Sequence, residues 1–163
     1  MIGSDLSALF VCRSSPYLSL GVDCFDFQRD ALSYAGSGLV IAHPPCRAWG
    51  RYKSIAKPLP GEKDLALWAL DLVRLNGGVL EHPASSSLWS YLRPGETTLL
   101  IRQADFGHRA EKLTRLFYAL MPRVPLFPDP ASGPFRPVEL MGRQERERTP
   151  FPLAQWLVTW CKS

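Results

Sequence analysis

The chain has no Cys-x-x-Cys pair: its four cysteines, Cys12, Cys24, Cys46 and Cys161, are scattered. That excludes the usual thiol-redox and zinc-ribbon signatures, and the spacing of His43, His82 and His108 matches no zinc pattern either, so no metal is expected. No charged, apolar, small-residue leader opens the sequence, which predicts reduced thiols and a cytoplasmic protein. No apolar run approaches the roughly 20 residues needed to span a bilayer, so no membrane role is expected. There is no internal repeat and no low-complexity tract. Charge of one sign is scarce too: 19 Lys and Arg stand against 15 Asp and Glu, a formal net charge of +4. This permits a polyanionic partner without demonstrating one. At 163 residues and 46% apolar, the chain is long enough for one core and too short for two. A single domain over residues 1–163 is the expectation.

What is present centres on Leu39-Val40-Ile41-Ala42-His43-Pro44-Pro45-Cys46. Four apolar residues after Gly38 read as a short buried strand, and the two prolines stop it at His43 because proline offers no ladder donor. A rigid extended dipeptide then presents Cys46 at the carboxyl end of a strand, where open α/β sheets bind their ligands. A second stretch ends the same way, Val79-Leu80-Glu81-His82-Pro83. Between them Leu65, Trp68, Ala69, Leu72 and Val73 recur at helical spacing, predicting a helix over 61–76 that Asn76-Gly77-Gly78 terminates. Strand, helix and strand have the length of a parallel crossover, which puts Cys46 and Glu81 on one sheet edge. A buried carboxyl there is expected to have a raised pKa, and Cys46, flanked by Arg47 and Arg51 at the start of a helix, a thiolate-favouring setting.

Elsewhere, strands are predicted at 8–12, 21–26, 97–103 and 114–120, a short helix at 27–36, a capped helical turn at 85–89 and a closing amphipathic helix at 151–160. Residues 121–137, dense in proline, read as an ordered surface loop. Two basic clusters, one of Arg47, Arg51, Lys53 and Lys57 and one of Arg109, Lys112 and Arg115, are candidates for phosphate contact. Arg143, Arg146 and Arg148 alternate with Glu145 and Glu147 and read as a solvated surface.

The two Pro-terminated strands resemble the Pro-Cys and Glu-Asn-Val/Pro motifs of DNA cytosine-C5 methyltransferases. Ala104-Asp105-Phe106-Gly107-His108-Arg109, running to Thr114-Arg115-Leu116-Phe117, is similar to that family's tyrosine-glycine segment and following arginine-rich strand. Thr149-Pro150-Phe151-Pro152 resembles its late motif. The order is the family's across residues 39 to 160, and the short phage and prophage versions are the most similar.

The resemblance implies an α/β, Rossmann-like methyltransferase-type mixed sheet flanked by helices and truncated at its amino-terminal cofactor half. No counterpart of the family's Phe-x-Gly-x-Gly loop lies in Leu9–Tyr17, and no large segment for reading sequence lies between Phe117 and Thr149. It implies Cys46 as nucleophile toward cytosine C6, Glu81 on N3 and the amino group, and Arg115 as a third catalytic residue. His43, Pro45, Arg47, His82, Arg109 and Lys112 would line the substrate, which is DNA or a nucleotide. S-Adenosylmethionine would be the cofactor, near Phe10, with Asp23, Asp26 or Asp30 on its ribose or amino group. A catalytically silent phage factor that binds a nucleotide, or a host or phage protein, is the alternative.

Overall fold

A computed structural model describes residues 6–163; Met1–Asp5, where part of the leader reading falls, lie outside the described residues. Among the described residues six strands form one mixed sheet in the order β2-β1-β3-β4-β6-β5. They are β1 (Leu6–Leu9), β2 (Asp23–Phe25), β3 (Leu39–Ala42), β4 (Gly78–Pro83), β5 (Thr98–Arg102) and β6 (Leu113–Ala119). The first four run parallel, and β6 is antiparallel to both of its neighbours. No helix among the described residues is long and apolar enough to cross a membrane.

Both faces of the sheet are covered, which is why β1, β3 and β4 read as continuous rather than alternating apolar runs. On one face α2 (Glu62–Asn76) buries Ala66, Ala69, Leu70 and Val73 against Leu9, Val40, Ala42, Leu80 and Phe117. On the other, α4 (Phe151–Lys162) buries Leu153, Ala154, Leu157 and Trp160 against Leu6, Ala8, Ile41, Val79 and Leu116. The four-residue α1 (Pro16–Ser19) adds Tyr17 to that second core. The proline-rich segment is ordered by indole donors of α4: Trp156 Nε1 donates to Leu126 O at 2.9 Å and Trp160 Nε1 to Pro122 O at 2.9 Å. Beyond it the five-residue α3 (Arg143–Glu147) returns to the region of Cys46 and Lys112.

Two expected elements differ. The first strand ends at Leu9 because Phe10 takes φ 59°, a left-handed conformation that breaks a strand. The helix expected over 27–36 is only a 3-10 turn at Ala31–Ser33, which the Asp30 carboxylate caps.

The junction of α2 and β4 has no room for a side chain. Gly78 has φ +114°, and a Cβ there would sit 1.9 Å from Val40 O. Gly78→Ala is therefore expected to destabilise the fold by about 3 kcal/mol or more, from backbone strain plus a clash with a strand carbonyl. Urea unfolding measures it, and a loss under about 1 kcal/mol, the ordinary effect of a point substitution, contradicts this packing.

Candidate active site

Residues at the carboxyl ends of β3 and β4 and at the start of β6 meet at one edge. Ala42 pairs with Leu80, so the next residues along, His43 and Glu81, leave the sheet side by side. His43 Nδ1 donates to Glu81 Oε2 at 3.0 Å, and Tyr17 Oη lies 2.9 Å from His43 Nε2. From the segment after β5, Gln103 Nε2 donates to Glu81 Oε1 at 3.0 Å and to Thr114 Oγ1 at 3.0 Å. Glu81 thus has an N–H donor on each oxygen.

Burial alone would raise the Glu81 carboxyl. The His43 hydrogen bond, with the charges of Lys112, His43 and His82, outweighs it and holds the group down to about 2. This corrects the expectation of a raised carboxyl, which counted burial and left out the donors. Glu81 is an ionised acceptor at neutral pH.

Cys46 is also corrected. The chain after it forms a turn, with Gly50 N donating to Cys46 O at 2.8 Å, rather than a helix whose dipole would favour thiolate. Arg47, expected to line the substrate, donates instead to the buried Glu62 at 2.9 and 2.5 Å. Burial, then the charges of Glu81 and Glu147, push the Cys46 thiol up, while Lys112 pulls the other way. Cys46 is a protonated thiol beside a carboxylate. In a Cys12→Ser background, which removes the exposed thiol, alkylation of Cys46 is expected to be still accelerating at pH 9.0, the ordinary value of such a group here. Lys112→Met should slow it further, and a plateau below about pH 8.5 contradicts this environment.

The sheet register sorts the remaining site residues. Glu81 is paired with Leu116, and His82 with Arg115. Arg115 therefore leaves β6 on the opposite face from Glu81, where its Nη1 donates to Thr98 Oγ1 at 3.3 Å. It is not a third member of the Cys46–Glu81 site. His82 shares that other face: Nδ1 lies 2.7 Å from Ser86 Oγ, Nε2 is 3.5 Å from Pro45 O, and burial pushes its pKa down to about 4. His82 and Pro45 thus brace the loop that carries Cys46. Arg109 is exposed and paired with Glu145 at 3.1 Å. Lys112 is the cation whose charge acts on both Cys46 and Glu81.

Of the residues expected around a cofactor, Phe10 stands at the carboxyl end of β1, edge-on to Trp68 at 6.0 Å. Asp23 opens β2 at its amino end and pairs with Arg29. Asp30 is spent on its cap. The acid at the carboxyl end of β2 is Asp26, which accepts from the amides of Gln28 and Arg29 at 2.9 Å each. An oriented carboxylate there fits the ribose hydroxyls of an adenosyl group.

Tyr17 and Gln103 were not read from the sequence as site residues. Tyr17 sits in a four-residue helix far from either motif, and Gln103 looked like the tail of a strand. No protein-family model, curated protein or solved structure matches the chain.

Proposed function

We propose that the protein modifies a cytosine base of DNA in the cytoplasm through Cys46, as the DNA cytosine-C5 methyltransferases that its motifs resemble would do. The observation that carries this reading is the thiol of Cys46 set at one sheet edge with a carboxylate fixed by a donor on each oxygen. The sheet, parallel from β2 to β4 and reversed at β6, supports a Rossmann-like methyltransferase-type architecture.

The protonation states suit the first step. Cys46 starts with a proton and Glu81 without one, and addition to cytosine needs one proton delivered to N3. The Cys46 sulfur bonds to C6 with its own electron pair, the C5=C6 pair moves to C4–C5, and the C4=N3 pair goes to N3. The thiol proton, passed by the Glu81 carboxylate, closes the balance at N3. Glu81 then accepts from the protonated N3 and from the C4 amino group. The adduct is an enamine with a nucleophilic C5. S-Adenosylmethionine, when bound, supplies the methyl group for C5, and Asp26 would hold its ribose. Lys112 beside the site and Arg51, Lys53 and Lys57 on the loop after Cys46 are the cations placed for phosphates. In a duplex the base must leave the stack to reach this edge.

Binding of a cytosine-containing oligonucleotide, followed by anisotropy over a salt series, tests the DNA claim. Affinity is expected to fall roughly tenfold or more for a fourfold rise in salt, as release of several counterions requires. Affinity indifferent to salt, or no binding by the folded protein, overturns it and leaves a phage factor that captures a host or phage protein.

A further inference from the structure

Glu81 is clamped, and the clamp has a polarity. A carboxylate offers about four acceptor sites, and two of these are filled from behind by His43 and Gln103. The His43 ring is held from its far side by the fully buried Tyr17, whose Oη lies 2.9 Å from Nε2, so that Nδ1 stays directed at Glu81. The Gln103 orientation is set as firmly. Its nitrogen serves both Glu81 and Thr114, whose own hydroxyl donates to Lys112 O at 3.2 Å. Turning the amide would bring its oxygen against the carboxylate. Gln103 is 1% exposed, and its Oε1 is a buried acceptor with no hydrogen-bond partner among the described residues. Leaving one acceptor buried and open is a cost the site bears to keep the nitrogen on Glu81.

We propose that His43 and Gln103 are the specificity-determining positioning residues of this site: by donating to each oxygen of Glu81 they fix it as an acceptor that takes a pyrimidine with an amino group at C4 and rejects a 4-oxo one. The inference rests on the cytosine reading above and adds what enforces it. The discrimination falls in the addition step: in the C6 adduct the protonated N3 and the C4 amino group of cytosine both donate to the open side of the carboxylate, whereas in a uracil or thymine adduct N3–H donates but the charge gathers on O4, which faces the carboxylate with no proton between. Lose either clamp residue, and the carboxylate can turn or take up a proton and donate to O4.

The test uses single-stranded oligoadenylate carrying one central dC or dU, with C5 hydrogen exchange in deuterium oxide read by NMR for the wild type, Gln103→Leu and His43→Leu. Thermal melts show which variants fold, and Gln103→Met and His43→Asn stand in for any that do not. Relative to the uncatalysed background, the wild type should accelerate dC over dU by roughly tenfold or more, and each folded variant should bring the two to within about twofold. A wild type that accelerates dC and dU alike, or variants that keep the preference, overturn the inference while the cytosine reading stands. A wild type that accelerates neither sinks the cytosine reading. The clamp is then judged on Glu81 itself, whose carbonyl carbon can be followed by NMR against pH. His43, Tyr17, Lys112, His82 and Cys46 are the titratable groups around it. Its midpoint, near 2 in the wild type, should rise in Gln103→Leu and in His43→Leu, and an unmoved midpoint overturns the clamp.

Discussion

Glu81→Gln is expected to slow hydrogen exchange at cytosine C5 by about 10²–10⁴-fold, the worth of a positioned acid–base group. Addition of Cys46 to C6 makes C5 basic, so in deuterium oxide C5 trades its hydrogen for deuterium, and the exchange reads the addition step with no methyl donor present. The amide keeps the shape of the carboxylate but cannot pass a proton to N3 or accept on both atoms. The same substitution should speed alkylation of Cys46 near neutral pH, because the Glu81 charge is one of the causes that push the thiol up. Exchange measured by NMR should fall while alkylation rises. Unfolding would also bare the buried thiol and speed its alkylation, so the thermal melt of Glu81→Gln must match the wild type; unchanged exchange would remove Glu81 from the chemistry.

Arg47→Met is expected to cost about 2 kcal/mol of stability, below the roughly 3–5 kcal/mol of a fully buried pair because the Arg47 side chain is 36% exposed while Glu62 is buried. Glu62 is 4% exposed at the first turn of α2, and its carboxylate is held by Arg47 and by the amide of Leu59 at 3.1 Å. Without the guanidinium a buried charge is left with the Leu59 amide and no opposite charge on it. The double variant Arg47→Met with Glu62→Gln should regain most of the loss, since replacing both partners removes the orphan charge. Urea unfolding of the single and double variants measures this. A loss below about 1 kcal/mol in the single variant would show that the pair is no more than a surface bridge. Arg47 directly follows Cys46, so the pair also ties the loop that carries Cys46 to α2.

The parts of this site that the sequence made legible are those carried by local pattern. Pro44 and Pro45 end β3 at Ala42, one residue before the expected stop, and the helical spacing of Leu65 to Val73 supplies the crossover to β4. Pro83 does not cut β4 as expected: it is the strand's last residue, paired with Thr114. The parallel adjacency of β3 and β4 is the observed register of Val40 with Gly78 and Ala42 with Leu80. What was illegible depended on which face a side chain leaves. Arg115 and Glu81 lie on neighbouring strands, yet a register one residue different decides that they point to opposite sides of the sheet. Lys112 precedes β6 with φ 43°, a backbone turn that no residue type there announces. The charge state of Glu81 was misjudged for the same reason. Burial is legible in an apolar run, whereas His43 and Gln103 as donors follow only from the packing of β3 and the β5–β6 connection around it. The partner of Arg47 was illegible because Glu62 is 15 residues on and belongs to another element.

The most direct test of the account is C5 exchange in deuterium oxide, measured side by side for the wild type and Cys46→Ala on the same cytosine-containing oligonucleotide. Exchange is expected from the wild type and only the uncatalysed background from the alanine variant, both proteins being folded by their melts. Exchange that persists without the Cys46 thiol, or a folded wild type that exchanges nothing it binds, would contradict the covalent step on which the proposed function stands.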